Sequence, residues 1–206
     1  MQATIVAADG SPEVDDAIFQ IFERLNAGGT QLTPHEIRVA LYAGPLMASI
    51  ETLNQGQEWR ALFGLRSKRI RDHELIMRIL ALYSDSDDYA RPLKNFLNTF
   101  AKNHRNIEIA NDLRGQLFTD ACREILHQIG SRAFRRPGGG QVNTAQAEAV
   151  CVAVMSAIAA GRQPVDLAHS FDRLLQDGEF IKHTGRATAD KEAVETRLKQ
   201  ARNTLV

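Results

Sequence analysis

The sequence predicts a mainly α protein, a multi-helix bundle with one short strand near the N-terminus. Three observations lead there. Apolar residues recur at i, i+3 and i+4 through successive windows, the signature of one buried helical face. Clusters of Pro, Gly, Asn, Asp and Ser punctuate those windows. Only residues 2–8, QATIVAA, read as strand, followed by an Ala-Asp-Gly-Ser-Pro turn.

The elements follow in chain order. Ser11-Pro12 supplies an N-cap and first helical position, and Ile18, Phe19, Phe22 and Leu25 form the apolar face of the helix after it. Asn26-Ala27-Gly28-Gly29 stops that helix, because glycine reaches positive φ without a Cβ clash. Thr33-Pro34-His35-Glu36 starts the next: Thr33 caps, Pro34 suits the first turn, and Glu36 occupies the capping-box position. Ile37, Ala40 and Leu41 then face inward. Gly44-Pro45 breaks the chain before a short helix on Leu46, Ile50 and Leu53, and Trp59, Leu62 and Phe63 make a further apolar patch. Residues 72–83 form the clearest amphipathic helix, through Leu75, Ile76, Ile79, Leu80 and Tyr83. The polar break at 84–88 precedes a helix on Leu93, Phe96, Leu97 and Phe100, closed at 103–106.

Residues 108–134 read as one long helix, with Leu113, Leu117, Ala121, Ile125, Ile129 and Phe134 on its face. The RRPGGG string at 135–140 is the strongest loop signal, a connector between helical portions 1–136 and 141–206, or a loop within one continuous domain. Asn143 caps the following helix, with Gln146 as its reciprocal polar residue. The small apolar residues of 147–160 imply close packing on more than one side. Residues 165–175 form a helix closed by Asp177-Gly178; Phe180 and Ile181 lead into a turn at 183–186, and Thr188 starts a last helix carrying Val194 and Leu198.

Composition narrows the function. With 206 residues, 44% of them hydrophobic, the chain can bury a sizeable core. Its formal net charge is zero, so nucleic-acid binding has to come from local patches or a partner. Two such patches exist: Arg66, Lys68, Arg69 and Arg71, with Arg60 nearby, and Arg132, Arg135 and Arg136. Each reads either as a solvated loop or as a phosphate contact. Cys122 and Cys151 sit in apolar helical stretches and read as buried small side chains. No metal-ligating spacing is present, and no run approaches the ~18 apolar residues of a membrane span. A cytoplasmic location is the expectation.

One stretch is less generic. IFERLNAGGTQLTPHEIR, residues 21–38, resembles the hallmark segment of the GmrSD-type family, found at the N-terminus of GmrSD restriction endonucleases and their anti-phage relatives. Ile21, Phe22, Leu25, Asn26, Gly29, Leu32, Glu36, Ile37 and Arg38 fit its pattern. RIRDHELIMRILALY, NFLNTF and TADKEAVETRL also look like the family. The resemblance covers the C-terminal, helical part of the usual domain, and implies a strand that completes a ParB-like sheet supplied elsewhere.

Relatives carry an Asp-Gly-Gln-Gln-Arg motif tied to nucleotide hydrolysis. These 206 residues hold no such motif; the nearest string is Ala8-Asp9-Gly10-Ser11. No His-Asn-His-type nuclease is present either, and no His pair at i, i+4 on one helix, nucleophile elbow or phosphate loop replaces them. The resemblance therefore implies a split half or subunit of a nucleotide-dependent restriction system, without catalytic residues of its own. Its protein partner would carry the ParB-like portion, ATP or GTP would bind only in the complex, and DNA would be the target. Arg24, Asn26, Gly28, Gly29, Thr30, Thr33, Glu36 and Arg38 would border the nucleotide pocket. The alternative is a non-catalytic interaction module derived from that family. For Glu36 and Arg38 a cap plus an ion pair is an equally local reading.

Overall fold

The computed structural model describes Phe19, Ile21, residues 31–162 and residues 164–205. These carry ten α-helices: α1 Pro34–Leu41, α2 Pro45–Asn54, α3 Gln57–Phe63, α4 Arg71–Asp85, α5 Leu93–His104, α6 Leu113–Gln128, α7 Thr144–Ala159, α8 Leu167–Leu174, α9 Gly178–Gly185 and α10 Lys191–Leu205. Phe19 and Ile21 are helical as well. Among the described residues the chain is a helical bundle, with a single antiparallel bridge, Arg135 to Val142, in place of any strand. The strand read at 2–8 and the Gly28-Gly29 turn lie outside the described residues.

Helix α7 is the hub. From Ala145 to Val154 its side chains are buried all round, and α4, α6 and α10 pack against it. Its alanines and valines permit this, because small side chains let three neighbours approach one axis. One apolar cluster runs from Tyr42 to Leu205 and passes beneath the connector at 135–140.

That hub carries a buried charge. Glu148 is fully buried; its Oε2 accepts from the Arg197 guanidinium of α10 at 2.6 Å, and Arg78 of α4 lies 2.5 Å from Oε1. One carboxylate thus fixes the position of three helices along their axes.

Several boundaries differ from those read in the sequence, each for a local reason. The long helix at 108–134 is three pieces: a 3-10 turn Ile109–Asn111, α6, and a 3-10 turn Ser131–Phe134. Asp112 resets the chain by accepting from the N–H groups of Arg114 and Gly115. Gly115 is required there, since a Cβ would stand 2.4 Å from the Ile109 carbonyl oxygen. Gly130, at φ 81°, ends the helix. Asp177-Gly178 does not merely close α8. The Asp177 carboxylate caps α9 through the Phe180 N–H at 2.7 Å, so Phe180 and Ile181 are helical. The last helix begins at Lys191 rather than Thr188. Asn143 caps α7 as read, but the Gln146 side chain points elsewhere, donating to the carbonyls of Ala133 and Arg135, both at 2.9 Å.

Removing the buried carboxylate leaves two guanidinium groups uncompensated in the core. Glu148→Ala is expected to lower unfolding free energy by about 3–5 kcal/mol, read from urea denaturation. A loss below about 1 kcal/mol would mean that the ion triad does not hold the three helices.

Candidate functional site

The best-specified polar centre lies under α1, the first helix after residue 33. Thr33 Oγ1 accepts from the Glu36 N–H at 3.2 Å, and Glu36 Oε2 accepts from the Thr33 N–H at 2.6 Å. This is the capping box read from the sequence. Glu36 also pairs with Arg69 at 2.7 Å, and Arg69 donates to the Gln31 carbonyl at 2.5 Å. The ion pair at this corner is therefore Glu36–Arg69, across 33 residues.

Arg38 is buried instead, at 1% exposure. Its Nε donates to Asn98 Oδ1 at 2.9 Å, Nη1 meets His35 Nδ1 at 3.0 Å, and Nη2 reaches the Lys94 carbonyl at 3.4 Å. Burial is the chief cause that brings its pKa down to about 10, with Glu74 opposing. It stays charged near neutrality.

The contacts fix the protons of two imidazoles. A guanidinium only donates, so His35 Nδ1 accepts from Arg38 and its Nε2 carries hydrogen. His35 Nε2 lies 2.8 Å from His73 Nδ1, which must accept, leaving His73 Nε2 to donate to the Met47 carbonyl at 3.4 Å. The result is a directed chain: Arg38 to His35 to His73 to Met47, spanning α1, α4 and α2. Both rings must be neutral to sustain it. Burial, followed by the charges of Arg38, His73 and Arg78, pushes His35 from 6.5 down to about 2. Burial also lowers His73, against the Met47 carbonyl, Glu51 and Asp72. Beside the chain, the Nδ2 of buried Asn98 has no hydrogen-bond partner among the described residues.

A second polar cluster joins α2, α3 and α4. Asp72 accepts from Asn54 at 3.3 Å and from Arg60 at 2.8 Å. Asn54 Oδ1 accepts from Trp59 Nε1 at 2.9 Å and from Arg60 at 2.8 Å. Arg60, burial raising and its bonds lowering the Asp72 carboxyl to a net depression, is an internal strut.

The basic residues singled out in the sequence divide sharply. Arg66 pairs with Glu51, and Arg69 with Glu36. Lys68 and Arg71 are exposed and have no ion partner among the described residues. Arg132 pairs with Asp172 at 2.6 Å and lies over the Phe171 ring. Arg135 directs four N–H groups at the carbonyls of Leu62, Phe63, Ser131 and Gly140. Arg136 donates to the Thr184 carbonyl at 2.9 Å. The second cluster therefore clips the connector onto the bundle. Open clefts of about 530 and 290 Å³ flank that connector, and Arg136 and Gly139 line both.

The structure brings Thr33, Glu36 and Arg38 to one corner with Arg69. Arg24, Asn26, Gly28, Gly29 and Thr30 lie outside the described residues. His35, His73 and Asn98 are the members that sequence reasoning passed over. Only the i, i+3 spacing of His35 and Arg38 could have signalled them; His73 and Asn98 arrive from other helices. Among the described residues no group of His, Cys, Asp and Glu could hold a metal ion, and no helix is long and apolar enough to cross a membrane. No family model, curated protein or solved structure matches this chain.

The neutral imidazole of His35 gives the corner a pH signature. Between pH 6.5 and about 2 the unfolded chain binds a proton there that the folded chain excludes. Its contribution is complete above pH 6.5 and is lost as pH falls. Stability should drop by about 2 kcal/mol between about pH 7 and pH 5 from this residue, and His35→Gln should flatten that slope in urea titrations. Equal slopes in both proteins would show that His35 titrates normally.

Proposed function

We propose that this chain is the helical part of a GmrSD-like, nucleotide-dependent DNA restriction system, a subunit or split half that acts with a partner bearing the Asp-Gly-Gln-Gln-Arg motif. The observation that carries the reading is the hallmark segment at 21–38. The use of its polar residues supports it: Glu36 anchors α1 to the loop before α4 and Arg38 anchors it to α5, which suits a rigid base for chemistry supplied by another portion. Leu32, 43% exposed and next to Thr33 in the chain, leaves apolar surface beside that corner. In this reading ATP or GTP binds in the complex, near the N-terminus of α1, and the present chain positions rather than reacts.

A second reading, a non-catalytic interaction module of the same ancestry, is favoured by a specific observation. Arg60, Arg69, Arg132, Arg135 and Arg136, five of the basic residues beside the two candidate patches, are engaged with carboxylates or carbonyls of the bundle.

Co-purification with the products of neighbouring genes, followed by ATP and GTP hydrolysis assays, separates them. The expected result is a complex with a motif-bearing partner whose turnover exceeds that of the chain alone at least about tenfold, a gap of about 1.4 kcal/mol in barrier height. Turnover by the isolated chain, abolished in Arg38→Ala, would overturn the non-catalytic assignment. A partner without the motif would favour the interaction module.

A further inference from the structure

We propose that the loop joining α3 to α4, residues 64–70 with Arg71 at its end, is a contact element for duplex DNA. Lys68 and Arg71 meet backbone phosphates, and Leu65 enters the groove as an apolar wedge. The inference rests on the DNA side of the reading above and needs no nucleotide-hydrolysing partner.

Leu65 is 93% exposed. A lone exposed leucine is ordinary on a protein surface; the setting of this one is not. The loop is pinned from both sides. Arg135 holds its start by donating to the carbonyls of Leu62 and Phe63 at 2.7 and 2.9 Å. Arg69 holds its end on Gln31 and Glu36. Gly64 takes φ 108°, and Ile70 takes φ 43°, a left-handed conformation that a β-branched residue strongly disfavours. An unfavourable backbone is thus kept in place, and it presents a leucine to solvent.

The charges around that leucine select the partner. Of five basic residues between positions 60 and 71, Arg60, Arg66 and Arg69 have carboxylate partners. Among the described residues Lys68 and Arg71 have none, and both are exposed. Two exposed cations beside one protruding apolar side chain match a duplex, whose phosphates flank a groove that apolar wedges can enter. One leucine offers too little apolar area for a protein interface or for stable membrane anchoring. The Arg132, Arg135 and Arg136 cluster does not compete for this role, because its guanidinium groups are engaged with Asp172 and with backbone carbonyls.

The test uses the full chain and a labelled DNA duplex with 2-aminopurine at its centre, which brightens when unstacked. Anisotropy should report binding that weakens roughly tenfold between about 50 and 200 mM salt, as expected for two neutralised phosphates. Lys68→Ala with Arg71→Ala should remove most of the binding and its salt dependence, whereas Lys199→Ala should change neither. Leu65→Ala should keep binding within about threefold yet abolish the fluorescence rise. Absence of binding, binding indifferent to the double variant, or preference for phosphatidylserine vesicles over DNA would overturn the proposal. A fluorescence rise that survives Leu65→Ala would overturn the wedge. A chain that binds DNA in this way without a hydrolytic partner retains this inference while the restriction reading fails; hydrolysis in a complex that ignores the loop does the reverse.

Discussion

The bundle depends on a carboxylate placed where no water reaches it. Glu148 sits in the second turn of the most buried helix and is met by arginines from two of its neighbours, α4 and α10. Apolar packing around α7 is non-directional: alanines and valines would tolerate α4 or α10 sliding by a turn. A buried ion contact does not tolerate it, because a displaced arginine loses its counter-charge in a medium that cannot solvate it. The small residues permit three helices to converge, and Glu148 states where two of them, α4 and α10, must stop. The corner at α1, the α3–α4 loop and the connector all inherit their positions from that arrangement.

Polar order recurs at smaller scale. The His35–His73 chain joins α1, α4 and α2 with one direction of hydrogen bonding, set at its start by a guanidinium that can only donate. The Asn54–Asp72–Arg60 cluster joins α2, α3 and α4. Each is a case in which the number of donors and acceptors, rather than shape alone, selects one arrangement of helices. Helix α4 contributes to all three networks through Asp72, His73 and Arg78. The three polar junctions are spread around the helix and interleaved with its buried apolar residues.

How much of this was legible varies with the range of the interactions. Helical periodicity gave the bundle, and local chemistry gave the caps at Thr33 and Asn143, because a cap and its N–H partner are three residues apart. The fate of long side chains was not legible. Gln146 reaches the carbonyls of the preceding turn rather than its own helix N-terminus, and Arg135 closes a helix 72 residues away. Two basic strings that look alike in sequence differ in the fold, one largely tied to carbonyls and the other keeping two exposed cations with no carboxylate partner among the described residues. Charge can be counted along a chain; its partners are set by packing. The break at Asp112 and Gly115 was missed for a related reason, since only the approach of the Ile109 carbonyl shows why that residue has no side chain.

The connector at 135–140 has one more consequence. The Arg135–Val142 bridge and the Asn143 N–H to the Phe134 carbonyl close its stem, while Gly138 and Gly140 have open space where a Cβ would stand. With the stem closed and clipped to the bundle by Arg135 and Arg136, the open surroundings of Gly138 leave that point of the tip outside the packing. Additional chain inserted there adds loop-closure entropy that grows only logarithmically with length and disturbs no buried contact. The tip is therefore a grafting point, where descendants of this fold can acquire a whole appended domain without relearning how to fold.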